Sequence, residues 1–112
     1  MKFLQTMLRV GDIEKSLKFY QELFGLNITR TKELEDATLY FLSDGVSDVE
    51  IELTYNHETP HEGYTNGSSF GHLAFETDNM DKFTEKLHSM GYEYLYSPFI
   101  LPGHNLKIAF VN

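Results

Sequence analysis

Three residues able to donate to a divalent metal stand out in this 112-residue sequence: Gln5, Glu52 and His72. Gln5 and His72 each open a strand-like stretch that runs into a helix. Glu52 lies within Val-Glu-Ile-Glu-Leu-Thr-Tyr at 49–55. There is no cysteine, which excludes thiolate zinc sites, disulfides and thiol nucleophiles. A metal must then be held by His, Asp, Glu, Gln or Asn. Oxygen donors with an imidazole suit zinc, nickel, cobalt or manganese. Sets that leave positions open for water are of the catalytic type. Taken one at a time, each residue has a plainer reading. Gln5 could be a hydrogen-bonding strand-edge residue, Glu52 a member of a solvated face and His72 a satisfied core histidine.

The elements around them give the three more weight. Gln5 to Val10 reads as a short strand, and Gly11-Asp12 supplies a turn and an N-cap oxygen. Ile13, Leu17, Tyr20, Leu23 and Phe24 recur at helical spacing, and Gly25 can close the helix with positive φ. Three strands are expected next, over 26–32, 37–42 and 49–55, with Ser43-Asp44-Gly45 turning between the last two. In the third, Ile51 and Leu53 share one face, and Glu50, Glu52 and Thr54 share the other.

A polar stretch over 56–69, carrying Pro60, Gly63 and Gly67, reads as a linker. The pattern then restarts: a strand over 71–77, a cap at Asp78 or Asn79, and a helix with Met80, Phe83, Leu87 and Met90 on its apolar face. Gly91 ends that helix, and strands follow over 92–96 and 106–111. The chain is thus an internal repeat, with strand, cap, helix and glycine from Gln5 to Gly25 and again from His72 to Gly91. This gives an α+β fold of two modules, about 1–58 and 68–112, within a single domain.

The net charge of −8 and the scattered Lys and Arg exclude a basic stripe for nucleic acid or an anionic membrane. No segment is long and apolar enough to span a bilayer, and Met1 to Gln5 is not a signal peptide, so a cytoplasmic protein is expected.

Several strings carry a family resemblance. Thr6-Met7-Leu8-Arg9-Val10-Gly11-Asp12, Ser16-Leu17 and Phe19-Tyr20 come first. Ile51-Glu52-Leu53-Thr54-Tyr55-Asn56, Phe70-Gly71-His72-Leu73-Ala74 and Ile108-Ala109-Phe110-Val111 follow in order. Together they resemble the glyoxalase I (lactoylglutathione lyase) branch of the vicinal-oxygen-chelate superfamily. The resemblance implies two βαβββ modules of the glyoxalase/bleomycin-resistance/dihydroxybiphenyl dioxygenase type and a homodimer with metal sites between modules. By position it implies Gln5, Glu52 and His72 as metal ligands, with His72 from a facing module and Glu52 catalytic. Arg9 and Asn56 would hold the peptide part of a glutathione adduct. His104 falls in a loop where relatives carry substrate-contacting groups. Gln at position 5 matches zinc-preferring members, which favours zinc over nickel.

The implied reaction is isomerisation of the hemithioacetal of methylglyoxal and glutathione to S-lactoylglutathione. The metal acts as a Lewis acid while a carboxylate moves a proton between adjacent carbons. One departure stands out. Glu52 follows Gln5 by 47 residues, and the same step from His72 runs past Asn112, so the second module is expected to lack its last strand and the fourth-ligand Glu. That gap leaves open an impaired enzyme and motivates a rival, a non-catalytic small-molecule-binding or resistance protein of the same superfamily. A ring-cleaving dioxygenase, with its His, His, Glu iron set, fits Gln5 poorly. His57 and His61, beside Glu58 and Glu62, read as solvated loop residues. Phe3, Phe70, Phe99 and Phe110 could line an apolar pocket.

Overall fold

The computed structural model describes residues 1–103 and 105–112. The chain forms two compact units, Met1–Leu73 and Ala74–Asn112.

In the first unit, β1 (Gln5–Arg9) leads through Asp12 into α1 (Ile13–Lys18). The Asp12 carboxylate accepts the Lys15 N–H at 3.1 Å and so satisfies one of the open donors of the first turn. The helix was expected to continue regularly to Phe24. It instead widens into a π-helical turn over Phe19–Leu23, where the rings of Phe19, Tyr20 and Phe24 pack against one another. Gly25 then takes φ +71°, a left-handed conformation that glycine adopts without steric penalty. The chain continues into β2 (Asn27–Glu33), β3 (Ala37–Ser43) and β4 (Glu50–Asn56).

These strands make one sheet in the order β1-β4-β3-β2, with β1 parallel to β4 and the other pairs antiparallel. Leu8, Ile51, Leu53, Tyr40 and Leu42 lie on one face and pack with Ile13, Leu17, Tyr20, Phe24 and Leu26. This is the apolar side that the alternation in β4 called for. Leu53 is completely buried, so truncation to Ala would cost about 2–5 kcal/mol.

Because paired residues point to the same side, the register also defines the opposite face. Met7, Glu52, Phe41 and Arg30 form one row across the four strands; Arg9, Thr54, Leu39 and Lys32 form the next. A β-bulge between Ile28 and Arg30 is what brings the two basic residues of β2 here. Ile28 pairs with Leu42 on the helix side, and strict alternation would have kept Arg30 and Lys32 beside it. The extra residue, Thr29, reverses their direction.

The second unit contains α2 (Met80–Ser89), β5 (Tyr94–Ile100) and β6 (Lys107–Val111). Asn79 is the N-cap and accepts the Lys82 N–H at 3.0 Å. Leu87 is completely buried, and Gly91 ends the helix at φ +84°. The Thr84 and Tyr94 hydroxyls meet at 2.7 Å, tying α2 to β5, which pairs antiparallel with β6.

The strand expected over 71–77 is not formed: residues 70–77 have no strand assignment and are largely exposed. In the first unit the equivalent strand, β1, is held by a parallel ladder to β4. No counterpart of β4 follows β6 among the described residues. Alternation favours a strand, but only a partner's backbone groups complete one.

Candidate metal and carboxylate site

Gln5 and Glu52 meet on the sheet face away from the helix. The Gln5 side-chain amide donates to Glu52 Oε1 at 2.8 Å, and the Thr54 hydroxyl donates to Oε2 at 2.7 Å. The parallel register sets up the first bond: Gln5 pairs with Glu50, so the Glu52 side chain lies one alternate position along the strand on the same side. Thr54 is the next alternate residue after Glu52. The sequence alternation marked its face without showing that its hydroxyl serves the carboxylate.

Glu52 is only 8% exposed. A buried carboxylate is costly unless its charge is balanced or well hydrogen-bonded. Both of its donors are neutral, and among the described residues no basic side chain forms a salt bridge with it. Gln5 presents its nitrogen, while its carbonyl oxygen, the atom a cation needs, is on the other branch of the same amide. Turning the amide over would set a carbonyl oxygen beside a carboxylate oxygen. The pair therefore fits two oxygen donors to one divalent cation.

Among the described residues no cluster of three or more His, Cys, Asp or Glu could hold a metal. A metal on this face would thus draw on Gln5. His72 is exposed and lies on the stretch that forms no ladder.

Of the expected peptide-holding residues, Arg9 is exposed at the end of β1. Asn56 ends β4, and its side-chain oxygen accepts the Tyr64 hydroxyl at 3.3 Å. His104 lies outside the described residues. His57 is more engaged than its loop position suggested: Nε2 lies 3.0 Å from the Thr38 hydroxyl, and its backbone N–H donates to Asp36 O at 2.9 Å. Phe3, Phe70 and Phe99 are all exposed, Phe3 most of the three.

A second cluster on the same face was not foreseen. The Arg30 guanidinium lies 3.6 Å from the centre of the Phe41 ring and pairs with Glu50 Oε1 at 3.3 Å. The Thr29 hydroxyl sits between Phe41 O, at 3.2 Å, and Glu50 Oε2. This hydroxyl, with Arg30 second, holds the Glu50 carboxyl below its ordinary range.

The profile of the Glyoxalase/Bleomycin resistance protein/Dioxygenase superfamily matches residues 2–110. The chain belongs to this superfamily. Among sequence relatives, the chain is 39% identical over 115 residues to a lactoylglutathione lyase of Haemophilus influenzae, covering 99% of this chain and 84% of that one. Its fold is similar to that of glyoxalase I from Zea mays, with a TM-score of 0.86 and 32% identity. That match covers 98% of this chain and 40% of the maize protein. A trypanothione-dependent glyoxalase I of Leishmania major gives a TM-score of 0.75 at 25% identity, covering 100% of this chain and 86% of that one. The chain thus spans most of its bacterial relative and two-fifths of the plant enzyme. Among the described residues no helix is long and apolar enough to cross a membrane.

Proposed function

We propose that this protein is an enzyme of the lactoylglutathione-lyase type, isomerising the hemithioacetal of methylglyoxal and glutathione to S-lactoylglutathione. The observation that carries this reading is the buried Glu52 carboxylate, bracketed by Gln5 and Thr54, in a chain whose relatives are lactoylglutathione lyases. It is favoured over a purely binding role, for which a buried carboxylate without a balancing charge would be an expense lacking a use.

The reaction moves two protons and adds none. The hydroxyl proton passes to the neighbouring carbonyl oxygen, and the carbon bearing sulfur and hydroxyl gives up a proton that ends on the former carbonyl carbon; the electron pairs shift with them, so no external oxidant enters. Glu52 is the residue placed to accept that proton at a carboxylate oxygen and return it one carbon along. The Thr54 hydroxyl on Oε2 fixes the carboxylate plane, which saves reorganisation during the transfer. Gln5 and Glu52 would hold the divalent metal together with His72 from a facing module, zinc being favoured over nickel by the Gln at position 5. Such an ion, when bound, supplies Lewis-acid stabilisation of developing negative charge. Arg9 and Asn56 hold the peptide portion of the thiol. The same reading includes the division into modules at about 1–58 and 68–112, a homodimer and a cytoplasmic setting.

The test is formation of S-lactoylglutathione from methylglyoxal and glutathione by the chain loaded with zinc or nickel. Glu52→Gln, which keeps shape and removes the base, should lower the rate by roughly 10²- to 10⁴-fold. Absence of product from both metal-loaded forms overturns the proposal.

A further inference from the structure

The sheet face away from the helix carries three basic side chains: Arg9 on β1 and Arg30 and Lys32 on β2. Arg30 is committed to Glu50 and to the Phe41 ring. Neither Arg9 nor Lys32 has an ion pair or hydrogen bond among the described residues, and both are exposed. They occupy opposite ends of the row Arg9, Thr54, Leu39, Lys32, with the Glu52 row alongside. In a chain of net charge −8, two uncommitted cations on the face of the proposed base are a local reversal of sign.

Their positions assign them different parts of a substrate. The inference rests on the proposed function, in which the reacting carbons sit at Glu52 on β4 and the peptide is held by Arg9 and Asn56. The thiol then occupies the β1 side. The group contributed by the aldehyde must extend the other way, over β3 toward β2. There it crosses Leu39, beside the Arg30 guanidinium that covers the buried Phe41 ring, before reaching Lys32. Lys32 is two strands from Glu52, about 10 Å across the sheet, and its flexible four-carbon stem can reach back over Leu39.

We propose that Lys32 is a specificity-determining residue that selects α-oxoaldehydes whose substituent ends in a negative charge, such as a carboxyethyl group, over neutral ones of the same length. A methyl group would stop short of the ammonium. A longer acidic substituent would meet it.

The experiment reads binding first, so that it does not depend on turnover. Affinities of the full chain for S-(carboxypropyl)glutathione and S-butylglutathione are measured by calorimetry, and their ratio is compared between the wild type and Lys32 variants. The ratio should fall roughly three- to fivefold toward the neutral ligand in Lys32→Met, the effect an exposed ion pair supports. It should fall further in Lys32→Glu and be kept in Lys32→Arg. The same ordering is expected in kcat/KM for the carboxyethyl α-oxoaldehyde relative to its methyl ester. A ratio identical in wild type, Lys32→Met and Lys32→Glu overturns the assignment, as does failure of the wild type to bind either conjugate. If the binding ratio responds but no α-oxoaldehyde is turned over, the enzyme reading fails while the charge selection stands.

Discussion

Glu50 and Glu52 point from the same strand to the same face, yet their surroundings differ. Glu52 is buried between two neutral donors, whereas Glu50 is held by the Thr29 hydroxyl and an exposed arginine. Its folded pKa therefore lies below the ordinary value of 4.5. With the pKa depressed on folding, the ionised form stabilises the native state. That contribution is complete above pH 4.5 and is lost as pH falls through the lowered folded value. Glu50→Gln should accordingly unfold more readily than wild type at neutral pH, with the gap closing as pH falls below 4.5 through the lowered folded value. Urea unfolding at several pH values measures it; a gap that is constant with pH would disprove the linkage. Of this face, the sequence showed Glu50, Glu52 and Thr54, because β4 alternates cleanly. Arg30 and Lys32 were hidden, since the bulge at Thr29 depends on pairing with β3 and leaves no local signature.

At the level of elements, the repeat was legible where local chemistry suffices. Asp12 and Asn79 cap their helices, and Gly25 and Gly91 end them at φ +71° and +84°. A Cβ added at either glycine would meet nothing within 4 Å, so the penalty of alanine there is conformational alone. Gly25→Ala and Gly91→Ala should each cost about 1–2 kcal/mol, read as a lower midpoint in thermal unfolding. An unchanged midpoint in both would mean that the left-handed closures do not matter. The stretch over 71–77 shows the limit of this legibility. Gly71 to Thr77 alternates as well as some true strands, but a strand is a relation between two segments and only one of them is present in the described residues. The helical spacing around Tyr20 likewise found the buried face of the first helix and missed its widening, which changes the hydrogen-bond step while keeping the side chains inward.

For the molecule as a whole, the distribution of apolar surface is the main observation. Leu95, Tyr96, Ile100 and Leu106 in the second unit are each more than half exposed. A two-stranded sheet is marginal in water without something to cover it, and exposed apolar groups of this number favour association. The charge of −8 opposes it. Salt screens that repulsion while leaving apolar burial intact, so the mass observed by sedimentation should move from one chain toward two as ionic strength is raised. A mass of one chain at every salt concentration would exclude the homodimer.

The pairing of Arg30 with Glu50 also bears on selection among ligands. Two carboxylates one alternate position apart would ordinarily compete for any cation reaching the face. Thr29 and Arg30 occupy one competitor from within the chain, while the other is tied up only by groups that an incoming charge can displace without leaving a countercharge stranded. By turning a single arginine around, the bulge pairs Glu50 and leaves Glu52 without a countercharge among the described residues.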